Sequence, residues 1–236
     1  MNEPGAQRRS RASGRTVGWW VLTLAAFAMV LYSVGYLVLG EYMYPEALAD
    51  SFRARPWGIQ THALFALVAL VALALGPFQF LRSLRQRKAG LHRTLGKAYV
   101  IAGLLTGASG LYLAAYAFGG WIGQLGFAGM AGATFVTVTM GYVRIRRGEI
   151  TSHRRWMLRS YAVLFSALTF RLWLAVLVVL SSGALTAAYQ WASWLSWVLN
   201  LAWAEWYVRR TSRGQRTDRT PVPRAAEMPA LGRPRS

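Results

Sequence analysis

Six apolar runs, each long enough to cross a bilayer as a helix, restrict the fold of this chain more than any other feature. About 20 residues, at a rise of about 1.5 Å each, span the hydrocarbon of a membrane. No stretch alternates apolar and polar residues over the length of a strand. We therefore predict an all-α membrane protein with six transmembrane helices. The runs are 17–39, 59–81, 95–118, 121–143, 157–180 and 188–208.

The segments at the two ends of the chain are polar and basic. Residues 1–16 and 209–236 contain many Arg residues and few large apolar ones, which is typical of disordered tails. Between them we predict a transmembrane domain over 17–208, with a four-helix core of spans two to five at 59–180. The first run is too long for a cleaved signal peptide and lacks a small-residue cleavage site, so we expect an uncleaved span.

The basic residues predict the orientation of these spans. All 27 Lys and Arg residues except Arg53, Arg55 and Arg171 lie in the two tails and in the segments 82–97 and 144–159. With six spans, those four regions share one side of the membrane. Because Lys and Arg accumulate on the cytoplasmic side, both termini are predicted to be cytoplasmic.

Charge and composition narrow the classes of partner and chemistry. A net charge of +19 would indicate nucleic-acid binding if it lay along one soluble face, but here it separates apolar runs. We expect the lipid bilayer and anionic lipid headgroups as partners, and no nucleic acid. The chain has no Cys, which excludes disulfides, iron–sulfur clusters and covalently attached c-type haem. It has no hydrolase or phosphate-loop motif, which favours a protein that is not an enzyme without deciding it.

Two of the basic segments carry a similar pattern. Residues 92–99 read HRTLGKAY and residues 153–161 read HRRWMLRSY, so both place His-Arg before a basic residue and a Tyr at the start of a span. The pattern indicates either a duplicated pair of helices or two basic loops that enter helices alike by chance.

These segments also carry a family resemblance. Span two has His62 near its start and GPFQF (76–80) near its end, and the two histidine motifs and Arg171 follow. This order resembles the bacterial predicted multi-pass membrane proteins of domain-of-unknown-function family 2306, over roughly residues 59–180. The resemblance implies a multi-pass protein of the bacterial cytoplasmic (inner) membrane. The order is more loosely similar to transmembrane b-type cytochromes, although their two haems need four His and this chain has 3.

Helical phase predicts where the histidines point. Positions 7, 11 and 18 residues apart share a helix face, and small residues there are typical of close packing between membrane helices. If the helices extend back to them, His92 and His153 point into the bundle. Gly103-x-x-x-Gly107 is itself a close-packing pattern, whereas the face of His62 is less distinct because its span is rich in Ala. The face residues are Tyr99, Gly103 and Gly110 from His92, and Ser160, Leu164 and Arg171 from His153.

Arg171 is the main candidate for a functional residue. It lies about 12 residues, or roughly 18 Å, from the cytoplasmic edge of span five. A charge at that depth is costly, and it is either functional or satisfied by helix carbonyls. The first interpretation is a carrier, or a protein that binds a lipid or small ligand within the bundle. Its predicted ligand-binding residues are His62, Arg171, Arg159, Tyr99 and Tyr161.

Two other interpretations stay open. One is a membrane redox module that holds a single b-type haem between His92 and His153, with Arg93, Arg154 and Arg155 on the propionates. The other is an assembly subunit without chemistry of its own. The ligand, and any redox or assembly partner, are not predicted.

The last span carries many Trp residues near both of its ends, which is typical of an interfacial belt. Its one acidic residue, Glu205, is expected to pair with Arg209 one turn later.

Overall fold

The computed structural model describes residues 20, 23–25, 27–74 and 89–217, which form helices joined by short turns and include no strand. The first helix ends in a 3-10 turn at Gly40–Met43, and a second 3-10 turn follows at Glu46–Leu48. The helices are α1 (Thr23–Met43), α2 (Ala49–Arg53), α3 (Pro56–Ala74), α4 (Ala89–Ala114), α5 (Gly120–Arg146), α6 (Ile150–Leu164), α7 (Ser166–Leu180) and α8 (Leu185–Thr217).

The predicted all-helical membrane class is confirmed for the described residues. Four stretches are long and apolar enough to cross a membrane, namely α1, α4, α5 and the stretch Ile150–Leu180 that comprises α6 and α7. The described apolar part of α3, Pro56–Val71, is shorter. The count of six spans stays a prediction. The predicted tail at 1–16, the GPFQF motif and residues 218–236 lie outside the described residues.

The helices pack largely in chain order. The α4 helix packs between α3 and α5, α5 packs against α6, and a smaller contact joins α3 to α6. The α8 helix packs against α5, α6 and α7. On the other side, Met29 of α1 and Leu70 of α3 form a buried cluster with Tyr161 and Phe165. The helices predicted as core spans two to five therefore contact one another in sequence, with α1 and α8 against them.

Glycine makes the turn between α4 and α5 tight. Gly119 and Gly120 have φ values of 89° and 65°, a left-handed conformation that glycine adopts without steric cost. The Gln190 amide of α8 donates to the Gly119 carbonyl at 2.7 Å. This connection makes α4 and α5 antiparallel neighbours.

Small residues set the closest helix contacts. Gly103 and Gly107 of α4 face Val138 and Phe135 of α5. The predicted close-packing pattern therefore lies at the contact between these two helices. Gly126 of α5 is buried against Ser193 of α8, whose side chain would overlap any added Cβ. Backbones can approach this closely only where side chains are absent.

Two boundaries differ from the predicted spans. The fifth span is interrupted at Phe165, which separates α6 from α7, although no Gly or Pro marks the position. The interruption depends on side chains that donate to its carbonyls, which a hydropathy pattern does not show. At the end of the chain, α8 continues to Thr217, so residues 209–217 of the predicted tail are helical.

The contact between Gly126 and Ser193 provides a test of this packing. We expect Gly126→Leu to destabilise the protein by about 1–3 kcal/mol, because the added side chain has no space between α5 and α8. The midpoint of thermal unfolding in detergent, followed by size-exclusion chromatography, measures the change.

Gly132→Leu is the matched control. Gly132 lies on the same helix with open space where its Cβ would be, so the same substitution is expected to leave the midpoint unchanged. Equal destabilisation by both variants would contradict the packing of α5 on α8.

Candidate functional site

A cavity of about 370 Å³ lies within the bundle and is lined by residues of α1, α3, α4, α5, α7 and α8, with a contribution from the segment 45–55. Most of its wall is apolar or aromatic. Its cationic and polar side chains include Arg171, Arg55, His62, Tyr32, Tyr36 and Tyr189. None of the described lining residues is acidic. The cavity therefore combines an apolar interior with unneutralised positive charge.

Arg171 projects into this cavity from α7. One guanidinium N–H donates to the Ala167 carbonyl one turn earlier. The guanidinium carbon also lies 4.3 Å from the centroid of the Tyr32 ring on α1, a cation–π contact. A guanidinium has five N–H donors, and the Ala167 bond is the one hydrogen bond that Arg171 makes to the described residues. The arrangement leaves donors for an anionic or polar ligand group.

The interruption at Phe165 lies between α6 and α7, six residues before Arg171. An interrupted helix leaves carbonyls without backbone amide donors, and here side chains donate to those carbonyls instead. The Asn200 amide of α8 donates to the Ala162 carbonyl at 3.1 Å and to the Thr169 hydroxyl at 3.0 Å, thereby bridging the break. The Ser166 hydroxyl donates to the Val163 carbonyl. Asn200 therefore stabilises the break, and it does not contact Arg171.

His62 reaches the same cavity from α3. The Ser109 hydroxyl donates to the Leu105 carbonyl at 2.9 Å and lies 2.9 Å from the His62 Nδ1. Because a hydroxyl has one proton, Ser109 accepts from Nδ1–H, and the Nε2 of His62 keeps its lone pair. The ring lies against Gly110 of α4, where a Cβ would contact it. Two predicted ligand-binding residues, His62 and Arg171, thus line one cavity.

Aromatic residues and a second arginine also line the cavity, and they are not among the residues predicted from the sequence. Arg55 lies 3.8 Å from the centroid of the Tyr116 ring. On α1, Tyr32 donates to Tyr36 at 3.2 Å. Two signals were available. Arg55 is one of few basic residues outside the segments predicted to be cytoplasmic, and Tyr32 and Tyr36 are four residues apart on one helix face.

The other predicted ligand-binding residues do not line this cavity. Tyr99 is 5% exposed and shares a hydrogen bond of 2.7 Å with Ser160 between α4 and α6. Tyr161 packs on the cluster of Met29 and Leu70. Arg159 donates to Glu205 at 2.6 and 2.8 Å. Only part of the predicted set is therefore brought together.

The two inner histidines both lie on helices, as helical phase required. His92 is on α4 and His153 is on α6. The bond between Tyr99 and Ser160 joins positions seven residues after each His, which brings the same faces of the two helices together. The His153 Nδ1 lies 2.8 Å from the Gly141 carbonyl. Because a carbonyl only accepts, Nδ1 carries a proton, and Nε2 is the ring nitrogen that is left to bind a ligand.

The arginines assigned to haem propionates take different positions. Arg93 and Arg154 are exposed, whereas Arg155 is half-buried in a second cleft between α6 and α8. In the described part of the chain, no group of three or more His, Asp or Glu residues has the arrangement of a metal site.

The predicted membrane protein family DUF2306 matches residues 59–208, from the second predicted span to the sixth. No curated protein and no solved structure matches the chain. The family match extends beyond the histidine motifs that suggested it and covers more than half of the chain. The chain therefore belongs to the predicted membrane protein family DUF2306.

Proposed function

We propose that this protein binds an anionic amphiphile, a lipid or a small molecule with an apolar part, in the cavity around Arg171. The observation that carries the proposal is the position of the Arg171 guanidinium, which lines the cavity and is bonded to one backbone carbonyl. An Arg fork binds carboxylate or phosphate bidentately. The apolar and aromatic wall matches the rest of such a ligand.

The protein offsets the cost of placing Arg171 in the membrane without a bound anion, which leaves the remaining guanidinium donors for a ligand. A charge at the centre of a bilayer costs about 2.5–3.5 kcal/mol on insertion scales. The contact of Arg171 with the Tyr32 ring returns roughly 0.5–2 kcal/mol. The hydrogen bond to the Ala167 carbonyl contributes about 1.5–3 kcal/mol. Folding thus tolerates Arg171 without an anion, and the free donors are available to bind one.

The proposed topology has six spans with both termini in the cytoplasm of a bacterial inner membrane. The distribution of Lys and Arg supports it. In this orientation the segment 40–58 is outside, so Arg55 lies towards the outer end of the cavity. A ligand reaching Arg171 from that end would first pass Arg55, as in a carrier or an outward-facing binding protein.

Dodecanoate and dodecanol, which share a chain and differ in charge, test the Arg171 site. We expect dodecanoate to raise the thermal midpoint of the purified protein more than dodecanol does. Arg171→Gln should weaken dodecanoate binding by about tenfold, because one charge-assisted contact is lost. A thermal-shift titration in neutral-lipid nanodiscs measures the affinity.

Arg53→Gln is the matched control. Arg53 lies in the segment 40–58, pairs with Glu41 at 3.2 Å and does not line the cavity. The variant should bind dodecanoate as the unmodified protein does. A folded Arg171→Gln or Arg171→Leu protein with unchanged affinity would refute the ligand-binding role of Arg171.

Single cysteines test the topology. The chain has no Cys, so Glu46→Cys and Thr151→Cys introduce unique labels at exposed positions at opposite ends of the bundle. A membrane-impermeant maleimide should label Glu46→Cys in intact cells and Thr151→Cys only after lysis. The reverse pattern would place both termini outside.

A membrane redox module is the second candidate, and the His153 geometry favours it. Haem-ligating His residues commonly donate Nδ1–H to a carbonyl, which directs the Nε2 lone pair to the metal. The bond to Gly141 has this form. His92 on α4 would be the second residue to hold the group, and a bound haem would supply one-electron chemistry.

Absorption spectroscopy tests this candidate. If haem is bound, protein purified from haem-replete cells shows a Soret band that shifts on reduction with dithionite, and both His92→Ala and His153→Ala lose it. Protein from haem-limited cells is the control. A colourless preparation from haem-replete cells would exclude the redox module.

A further inference from the structure

A second site lies at the opposite end of the bundle from the segment 40–58, away from the cavity of Arg171. It is a cleft of about 420 Å³ between α6 and α8, and we refer to it as the α6–α8 cleft. Its polar side chains come from three arginines, two serines and one acidic residue. These residues are Arg155, Arg159, Arg209, Ser152, Ser212 and Glu205.

One carboxylate organises two of the arginines. Arg159 donates Nε and Nη2 to the same oxygen of Glu205, at 2.8 and 2.6 Å. Arg209 donates to the other oxygen at 2.7 Å, which confirms the pairing expected from their spacing. Arg159 is 16% exposed and Arg209 is 72% exposed. Glu205 thus holds two guanidinium groups in place but neutralises only one of their charges.

Arg155 adds a charge that none of the described residues balances. Its side chain is half-buried in the α6–α8 cleft, yet it forms no ion pair or hydrogen bond with the described residues. The cleft therefore carries two positive charges in excess of its one carboxylate. A partly desolvated guanidinium is stabilised by an anion with several acceptor oxygens.

Phosphate has the chemistry that this arrangement recognises. Its oxygens accept from Arg forks and from hydroxyls. Arg155 and Ser152 offer one of each in the cleft, whereas the Ser212 hydroxyl donates to the Val208 carbonyl at 2.7 Å. Trp156 also lines the cleft, with the Arg159 guanidinium carbon 4.8 Å from its ring centroid. Tryptophan is typical of the headgroup level of a membrane.

We propose that the α6–α8 cleft binds a phosphate group, carried either by an anionic phospholipid headgroup or by a soluble phosphate compound. This site is independent of the proposed function of the Arg171 cavity. To set the orientation of the spans, the basic residues of the segment 144–159 could lie at any of its positions. Setting the orientation does not require a half-buried arginine beside two that are held by one carboxylate.

The purified full-length protein, titrated with phosphatidylglycerol, tests the proposal. We expect native mass spectrometry to retain phosphatidylglycerol in preference to diacylglycerol, which lacks the phosphate. Arg155→Gln should weaken phosphatidylglycerol binding by about tenfold, the effect of losing one charge-assisted fork. Arg147→Gln removes the same charge from an exposed position outside the cleft, and should change binding by less than about twofold.

Glycerol 3-phosphate distinguishes the two sources of phosphate. If it binds with the affinity of phosphatidylglycerol and displaces it, the group comes from a soluble compound. If it competes weakly, the group comes from the lipid. Either result supports a phosphate site, provided that Arg155→Gln weakens binding.

Equal effects of Arg155→Gln and Arg147→Gln, or no effect of Arg155→Gln, would overturn the proposal. Elution on size-exclusion chromatography shows whether each variant is folded. Should Arg155→Gln not fold, Arg155→Lys decides the matter. It keeps the charge without the fork, so phosphatidylglycerol should bind about threefold more weakly. Unchanged affinity of that variant would then refute the site.

Discussion

The interruption of the fifth span at Phe165 lies in the wall of the candidate site, between Leu164 and Ser166, which both line the cavity. In apolar surroundings every backbone carbonyl needs a donor, so a helix can break only where side chains replace the lost amides. Asn200 provides one replacement at Ala162, and Ser166 provides another at Val163. The α7 helix starts again after this break, and it carries Arg171 on the side that lines the cavity.

The two sides of the bundle are packed by different means. Where α5 meets α8, glycine and serine bring the backbones together, with Gly126 against Ser193. Between α1, α3, α4 and α7, larger side chains such as Tyr32 and His62 line a cavity. Close packing on one side gives the site rigid support, while the other side retains space for a ligand. This asymmetry follows from side-chain size.

Positive charge is used differently at the two depths. In the cavity, Arg171 has an aromatic ring and one carbonyl as partners, so its charge is tolerated without an acid. In the α6–α8 cleft, Glu205 holds Arg159 and Arg209 in place, while Arg155 has no such partner in the part of the chain that the structure describes. Both sites therefore hold positive charge that is available to an anion, one among aromatic residues and one at the level of interfacial Trp.

Much of the local structure could be predicted, because apolar run length and helical phase act within single helices. The phase of α4 and α6 correctly placed Tyr99 and Ser160 on buried inward faces. The pairing of Glu205 with Arg209 followed from their spacing alone. By contrast, Arg159 was grouped with Arg171 in one ligand site and lies instead on Glu205 in the α6–α8 cleft, since its direction towards α8 depends on how two distant helices pack.

By itself, the sequence determined an all-helical membrane protein of the DUF2306 family with His62 and Arg171 as candidate residues. The tertiary structure alone decided that these two residues share a cavity, that Tyr32 covers the guanidinium of Arg171, and that the fifth span breaks at Phe165. The physical reason is that such contacts join helices far apart in the chain. Their relative rotation depends on side-chain packing between helices, which periodicity within one helix does not specify.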